Sequence, residues 1–349
     1  MRIAVLHPQT AFVRGGAEIH TEALVRALKA AGHEAEMVTI AGKWYPADEL
    51  AHQMAVWRSF DCSESNGMTI DAVIPLKFPA YLTPHDRKIV WLIHQHRSAY
   101  ELYDHPDFGD LAVQESGSEV RDLIHQADRV ALGEAARVFT NSRNVKDRLW
   151  NSLRISSEVL YHPSPATEAL LEQAPGPYGD YVFYPSRFEV LKRQSLAIEA
   201  MSHVSSDIKL VLVGRGPDER KLRDQINDLG LADRVRIEVG VSDERLYELY
   251  LGACGVFNGP FDEDYGYVTL EGMAAHRPVV TLTDAGGPLE FVTDGENGYV
   301  TEPDPKAIAE AFDRCRRDPQ VVARIGSAGH QLIRETVPTW PEVVARLLE

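Results

Sequence analysis

Cysteine is scarce in this sequence, and its distribution excludes several kinds of site. The chain has three cysteines, Cys62, Cys254 and Cys315, which are odd in number and far apart. No two of them stand at the spacing of a metal site or a redox motif. The pattern is typical of a protein in a reducing cytosol.

Long apolar runs and an excess of positive charge are also absent. No run approaches the length of a membrane span, and residues 3–6 are too short an apolar stretch for a signal peptide. Lys and Arg total 36 against 52 Asp and Glu, a formal charge of −16, which disfavours nucleic acid as a partner. We therefore expect a cytoplasmic protein, and no protein partner is evident.

One basic stretch stands out from this acidic background. The predicted helix that follows residues 137–140 carries the cations Arg143, Lys146, Arg148 and Arg154. Such a helix could make peripheral contact with the inner face of a membrane, or it could simply be a solvated face.

Short apolar runs followed by glycine turns recur along the chain, which predicts an α/β protein with doubly wound parallel sheets. The runs are residues 3–6, 34–40, 71–74, 88–93, 137–140, 181–184, 209–213, 235–238, 254–257 and 278–282. In the first helix, Ile19, Ala23, Ala27 and Ala31 are predicted to share one face. A length of 349 residues fits two domains. Breakers between residues 161 and 177 predict an N-terminal domain of residues 1–165, joined by a C-terminal helix at 336–349, and a second domain of residues 166–335.

The stretch from residue 260 to residue 275 gives the strongest chemical signal, an acidic turn, a glycine and then a helix. The helical positions i, i+3, i+4 and i+7 are occupied by Tyr267, Leu270, Glu271 and Ala274. Glu271 is therefore a carboxylate on an apolar face, and it needs hydrogen-bond donors that apolar neighbours do not supply. Two vicinal hydroxyls would supply them, and Gly266 would let a phosphate approach the helix N-terminus. Diol and phosphate together predict a nucleotide, whereas an internal arginine beside Glu271 is the alternative.

Three further loops carry groups suited to phosphate. Arg187 and Lys192 are two cations five positions apart at a strand-to-helix turn, a spacing that suits two neighbouring phosphates or is ordinary surface charge. The glycine pair around Gly214 is weak by itself. After residues 278–282, Pro288 suits the first helical position and would leave the preceding N–H groups available to an anion.

Two loops of the first half also attract attention. Gly15 and Gly16 follow the first strand and predict a close approach of backbone to a ligand, with a plain tight turn as the alternative. They lack the dinucleotide fingerprint, which disfavours a nicotinamide dehydrogenase. His94 stands at the carboxyl end of an apolar strand, where ligands of open α/β sheets bind. A surface or core histidine is the alternative.

Together these motifs resemble the retaining nucleotide-sugar glycosyltransferases of family GT4, which have the GT-B fold of two facing Rossmann-like domains. Glu263 and Glu271, with seven residues between them, carry most of the resemblance. It is supported in order by Arg187 with Lys192, Gly214-Arg215-Gly216, Gly286-Gly287-Pro288-Leu289-Glu290 and Asn297-Gly298.

The resemblance implies a role for each motif. Arg187 and Lys192 would bind the donor diphosphate, Glu271 the ribose hydroxyls, Glu263 the donor sugar and the Val241 region the base. Backbone N–H groups of Gly266, Tyr267 and Val268 would face sugar and phosphate, Gly15 and Gly16 would close over them, Gly214 would lie at the donor, and His94 would contact a sugar hydroxyl. The family often has aspartate after this histidine, whereas this sequence has Gln95.

The function expected from the resemblance is transfer of a sugar from a nucleoside-diphosphate sugar to an acceptor hydroxyl, in cell-surface polysaccharide or glycoconjugate synthesis. No cofactor is expected beyond that co-substrate. Asp262-Glu263-Asp264 superficially matches an acidic metal-binding triplet, but a cation pair already serves the diphosphate, so no metal is expected. A nucleotide-sugar 2-epimerase and a non-catalytic nucleotide-sugar binding protein are the alternatives.

Overall fold

The computed structural model describes residues 1–349 and divides into two units. The N unit comprises Met1–His162 with Thr339–Glu349, and the C unit comprises Pro163–Pro338. Both units are built from parallel strands alternating with helices, which confirms the predicted α/β fold class. None of the helices combines the length and the apolarity that crossing a membrane requires.

The N unit contains two three-stranded parallel sheets and a short hairpin. In chain order its elements are β1 (Arg2–Gln9), α1 (Gly16–Ala30), β2 (Glu34–Ala41), α2 (Ala47–Ser59), β3 (Glu64–Ser65), β4 (Met68–Thr69), β5 (Ala72–Pro75), β6 (Ile89–Leu92), α3 (Gly117–Gly133), β7 (Arg137–Thr140), α4 (Arg143–Leu153) and β8 (Glu158–Val159). The sheets have the orders β2-β1-β5 and β6-β7-β8. Parallel bridges Val73–Lys88 and Lys77–His94 connect them, so the carboxyl ends of β1, β5 and β6 share one edge.

Helix α1 packs on the core with Ala23 and Ala27 of the predicted stripe, but its buried face is wider than that stripe. Of the predicted stripe only Ala23 is buried, while Ile19 and Ala27 are half-buried and Ala31 is exposed. Leu24 and Leu28 are fully buried as well. The reason is a distant part of the chain, because α12 (Trp340–Leu348) joins the core cluster that contains both leucines.

The C unit is built on one six-stranded parallel sheet. Its elements are α5 (Pro165–Leu171), β9 (Tyr181–Pro185), α6 (Gln194–Ala200), β10 (Lys209–Val213), α7 (Glu219–Asp228), β11 (Val235–Glu238), α8 (Asp243–Gly252), β12 (Gly255–Asn258), α9 (Tyr267–Ala274), β13 (Val279–Leu282), β14 (Gly298–Thr301), α10 (Pro305–Arg317) and α11 (Pro319–Thr336). The strand order is β11-β10-β9-β12-β13-β14. The chain therefore reverses direction across the sheet between β9 and β12, and ligands of such sheets bind at the carboxyl ends of the strands at this point.

Candidate active site

The loops that leave β9 and β12 bring three of the predicted residues to the switch point of the C-unit sheet. The Lys192 ammonium forms an ion pair with the Glu263 carboxylate, and the carbonyl of Lys192 accepts a hydrogen bond from the buried Tyr184 hydroxyl. Arg187 lies in the same loop, and its Nη1 is 2.9 Å from Glu189 Oε1 with 42% of the side chain exposed. Two ion pairs, Lys192 with Glu263 and Arg187 with Glu189, therefore lie in these loops.

Arg193, which the sequence reasoning missed, fastens these two loops together. Its guanidinium donates to the carbonyls of Gly259 at 2.9 Å and Pro260 at 2.6 Å. It also binds the Asp284 carboxylate through two hydrogen bonds of 2.6 and 2.8 Å. Five donors in a rigid fork allow one arginine to hold three loops at once. The only signal in the sequence was a third cation next to Lys192.

The loop after β13 is paired with the Glu263 loop by its backbone. The N–H of Glu263 donates to the Ala285 carbonyl at 2.7 Å, and the N–H of Gly287 donates to the Glu263 carbonyl at 2.8 Å. The prediction that both N–H groups ahead of Pro288 could serve an anion is therefore wrong for Gly287. A Cβ at Gly287 would come within 2.7 Å of the Asp264 carbonyl oxygen, which explains the glycine.

Glu271 lies on α9 where the spacing predicted, with 9% of its surface exposed. Its Oε1 accepts a hydrogen bond from Ser164 Oγ at 2.6 Å, and its Oε2 accepts one from the Tyr250 hydroxyl at 2.5 Å. The expectation that the protein supplies no hydrogen-bond donor to Glu271 is therefore wrong. The alternative, an internal arginine beside Glu271, is not met by these two hydroxyl donors either. Burial raises the pKa of Glu271, while the two hydrogen bonds oppose that rise.

The N-terminus of α9 has the conformation expected for a phosphate site. Gly266 is its N-cap with φ of +89°, a region that favours glycine, and a Cβ there would lie 2.9 Å from Pro288 Cγ. Tyr267 and Val268 are the first two helical residues, and the first N–H groups of a helix have no carbonyl partner within it. The Tyr267 ring meets Tyr265 edge-on at 5.7 Å between centroids.

Gly214 and Val241 follow neighbouring strands of the same sheet. A Cβ at Gly214 would collide with the carbonyl oxygen of Ser186, so packing between two loops already requires a glycine there. Val241 is half-buried, directly before Ser242, whose hydroxyl caps α8 by accepting from Arg245 N at 3.3 Å. Both residues belong to loops at the carboxyl edge of the sheet.

In the N unit, the Gly15–Gly16 turn is held by a buried ionic group that the sequence reasoning did not identify. The N–H of Gly15 donates to Glu18 Oε2 at 2.7 Å. Glu18 Oε1 lies 3.2 Å from His7 Nε2 and 3.8 Å from Lys77 Nζ. Burial raises the pKa of Glu18, but the hydrogen bond from His7 and the charge of Lys77 outweigh it and lower the value to about 2. The Gly15–Gly16 turn is therefore held by the ionised Glu18 carboxylate.

His94 follows β6 at the same edge, beside Lys77. Its Nδ1 lies 2.6 Å from the Gln95 carbonyl oxygen, which can only accept, so the proton of the neutral ring is on Nδ1 and the lone pair on Nε2. The Gln95 side chain is buried, and its Oε1 accepts from Ser152 Oγ at 3.2 Å. Gln95, at the position where the family often has aspartate, is therefore a buried side chain that hydrogen-bonds to Ser152 of α4.

A fully buried carboxyl, Asp128 of α3, lies in the core near Gln95. The Tyr100 hydroxyl donates to Asp128 Oδ2 at 2.7 Å. Burial raises the pKa of Asp128 to about 7, although the hydrogen bond from Tyr100 opposes the rise. No local motif in the sequence predicts this buried hydrogen bond between Tyr100 and Asp128.

Comparison with known proteins gives consistent matches. Residues 174–332 match the family described as Glycosyl transferases group 1. The α-1,3/1,6-mannosyltransferase ALG2 of Dictyostelium discoideum is 31% identical over 170 residues, 43% of this chain and 40% of that protein. Sucrose-phosphate synthase of Thermosynechococcus elongatus has a similar structure, with a TM-score of 0.77, 17% identity and coverage of 99% and 97% of the two chains.

A third match is Anabaena HepE, whose structure was determined in complex with UDP and glucose. Its TM-score is 0.66 at 18% identity, and 100% of this chain and 98% of that one are covered. The whole-chain structural matches confirm the GT-B fold. The matches to three ALG2 proteins span 40–55% of the length of those relatives.

Proposed function

Because this chain is a GT4-type relative, with a group 1 glycosyl transferase region at residues 174–332, we propose that it transfers a sugar from a nucleoside-diphosphate sugar to an acceptor hydroxyl. The observation that carries the proposal is that Arg187, the Lys192–Glu263 pair and the buried Glu271 all lie in the loops and the helix that follow β9 and β12, two adjacent strands of one parallel sheet. Cations for a diphosphate and a carboxylate for a diol are the groups that a nucleotide sugar requires.

The leaving diphosphate is the group that this site must stabilise. Breaking the bond between the anomeric carbon and the phosphate oxygen leaves negative charge on that oxygen and positive charge on the ring. Arg187 can bind phosphate oxygens bidentately, and Lys192 supplies a point charge. The N-terminus of α9 adds backbone N–H groups and the positive end of its dipole. These groups stabilise charge that is larger in the transition state than in the bound donor.

The stereochemical proposal is retention by a same-face path. The acceptor oxygen forms its bond to the anomeric carbon on the face that the phosphate leaves, and its proton passes to the leaving phosphate oxygen. No nucleophilic carboxylate is needed. The ion pair of Glu263 with Lys192 supports a role in holding the donor sugar and orienting the cation rather than attack on the ring.

The N-unit residues contact the sugar and its phosphate in this proposal. His94 carries its proton on Nδ1, so Nε2 accepts a hydrogen bond from a sugar hydroxyl. The Gly15–Gly16 turn, anchored by Glu18, closes over the distal phosphate. Val241 and Gly214 of the C unit border the base and the nucleotide.

The remaining parts of the proposal concern conditions and location. The reaction needs no metal, because the Lys192 ammonium already neutralises Glu263, the central carboxylate of the acidic triplet. The protein works in the cytoplasm, with peripheral contact at the inner membrane face through α4. Trp150 of that helix is 48% exposed, and the Arg154 guanidinium lies 5.7 Å from the Trp150 ring centroid. Aromatic and basic side chains together suit an anionic lipid interface.

Donor turnover tests the central proposal. A panel of nucleoside diphosphates is first screened for thermal stabilisation, which ligand binding to the folded state produces. The sugar conjugates of the best binder are then incubated with and without candidate acceptors, and the products are separated by chromatography. Acceptor-dependent release of nucleoside diphosphate supports transfer. Acceptor-independent conversion of the sugar would favour the epimerase, and binding without turnover would favour the non-catalytic module.

The membrane part is tested separately. Co-sedimentation with vesicles containing anionic phospholipid should fall when Lys146 and Arg154 are both replaced by Glu, and it should fall in high salt. Equal sedimentation with neutral and anionic vesicles would contradict the proposed contact.

A further inference from the structure

The carboxylate assigned to the ribose is itself held by two hydroxyl groups. Ser164 Oγ lies 2.6 Å from Glu271 Oε1, and the Tyr250 hydroxyl lies 2.5 Å from Oε2. Each carboxylate oxygen thus has one protein donor. An ionised carboxylate offers about four lone-pair sites, so about two remain after both hydroxyls are counted.

The hydrogen bonds around Ser164 determine where its single proton lies. The N–H of Thr167 donates to Ser164 Oγ at 3.0 Å, and Thr167 Oγ1 is also 3.0 Å from it. A backbone N–H can only donate, and an ionised Glu271 can only accept. Ser164 therefore gives its proton to Glu271, and the Thr167 hydroxyl donates to Ser164. The serine has no alternative orientation.

Both donors are fixed by their surroundings. Ser164 is the N-cap of α5 and stands between Pro163 and Pro165, whose rings restrict the backbone. Tyr250 is fully buried, and its ring packs edge-on against Phe183 at 4.9 Å between centroids. Neither side chain lies in the Glu263–Glu271 motif, and Ser164 is 107 positions from Glu271 in the sequence.

We propose that Ser164 and Tyr250 are positioning residues for the nucleotide, which fix both oxygens of Glu271 so that their remaining lone pairs accept the two ribose hydroxyls. The inference rests on the proposed function. Without the two donors, the side chain of Glu271 would be free to rotate, and the diol would have to order it on binding.

The test compares two ligands in three proteins. The ligands are the best-stabilising member of the set ADP, CDP, GDP and UDP, and its 2′,3′-dideoxy counterpart. The proteins are the wild type, Ser164→Ala and Tyr250→Phe, each measured by titration calorimetry. One lost hydrogen bond should weaken binding of the ribose form roughly 3- to 10-fold. Binding of the dideoxy form should stay within about twofold, because it makes no contact with Glu271.

Two matched variants complete the experiment. Tyr181→Phe removes another tyrosine hydroxyl of the C unit, one that donates to the Leu249 carbonyl at 2.9 Å, and it should leave both affinities unchanged. Ser164→Thr keeps the hydroxyl and should restore the ribose affinity that Ser164→Ala loses.

The outcomes distinguish the inference from the proposed function. Equal affinity of the wild type for both ligands overturns the ribose assignment, and the inference with it. If the wild type prefers the ribose form but the two variants weaken both ligands equally, or neither, Ser164 and Tyr250 are structural and the inference alone fails.

Discussion

At the scale of single residues, Glu271 provides the most direct test of the donor site. Hydrogen bonds to a charged group contribute about 1.5–3 kcal/mol, so Glu271→Ala should weaken nucleoside diphosphate binding roughly 10- to 100-fold. Titration calorimetry on the purified variant measures this. The exposed Glu296 of the same unit gives the control, because Glu296→Ala should leave the affinity unchanged.

The same variant reports on stability. Removing the carboxylate deprives the Ser164 and Tyr250 hydroxyls of their acceptor, at a cost of about 1–3 kcal/mol, but it also removes a buried charge. The two effects oppose each other, so we expect a small change in melting temperature. A large drop in melting temperature with normal nucleotide affinity would make Glu271 a purely structural residue.

His94 should affect transfer and leave nucleotide binding intact, because its proposed partner is a sugar hydroxyl. His94→Ala should lower kcat about 2- to 10-fold, the effect of losing a neutral hydrogen bond of about 0.5–1.5 kcal/mol in the transition state, with the nucleoside diphosphate Kd unchanged. The exposed His52 provides the control substitution. An equal loss in nucleotide affinity and in turnover would contradict the assigned role.

Metal removal tests the role of the Lys192–Glu263 pair. If the lysine and Arg187 provide the charge that the diphosphate needs, treatment with EDTA followed by gel filtration should leave at least about 80% of the activity, a difference below 0.2 kcal/mol in barrier. Activity that disappears with EDTA and returns with Mn²⁺ would place the acidic triplet on a metal instead.

At the scale of elements, the buried Asp128 of α3 should make the stability of the protein depend on pH. Its hydrogen-bond donor, Tyr100, lies in the segment between β6 and α3. The folded pKa of about 7 exceeds the ordinary value of 3.8. The folded protein therefore binds more protons than the unfolded chain between about pH 4 and 7, and this residue makes stability fall as pH rises across that range. At pH 8, Asp128→Asn should increase the free energy of unfolding by about 1–3 kcal/mol and so raise the melting temperature. The variant should also show less change in stability between about pH 4 and 7.

The exposed Asp122 of the same helix gives the comparison. Asp122→Asn should have almost no effect at either pH. If Asp128→Asn destabilises the protein equally at pH 5 and pH 8, the buried carboxyl is ionised throughout and its network with Tyr100 is an ordinary structural one.

The elements show how far local pattern extends. Apolar runs located the main strands because a strand covered on both faces is apolar along its whole length. The stripe predicted for α1 was incomplete because it omitted Leu24 and Leu28, and in an alanine-rich helix periodicity alone does not set the width of the buried face. That width depends on α12, whose residues join Leu24 and Leu28 in the core.

At the scale of the whole molecule, the same distinction applies to the site. Glu263, Gly266 and Glu271 were predictable because they lie within one turn and one helix. Three other contacts join residues far apart in the sequence. Glu271 is 21 positions from Tyr250 and 107 from Ser164, and Arg193 is 91 from Asp284. No spacing rule predicts such pairs. Their positions depend on the order of strands in the sheet.

The return of α12 to the N unit predicts a domain-specific effect of truncation. Four of its side chains are buried, Trp340, Val343, Val344 and Leu347. At about 1.5–3 kcal/mol for each, deleting residues 339–349 should remove most of the stability of the N unit. Calorimetry should show that one transition is lost or lowered, while the transition of the C unit remains. Glu349→Ala, at an exposed position, is the control. Loss of both transitions together would show that the units do not unfold separately.

This packing has a consequence for how the protein is made. A ribosome releases the chain from its amino end, and domains usually complete folding in that order. Here most of the N unit emerges from the ribosome first, but its last segment, residues 339–349, emerges only after the whole C unit. Until translation reaches that segment, Leu24 and Leu28 lack their partners from α12. A nascent chain that stalls early thus presents an apolar face to chaperones and proteases, and the N unit can complete its core only after the whole C unit has been translated.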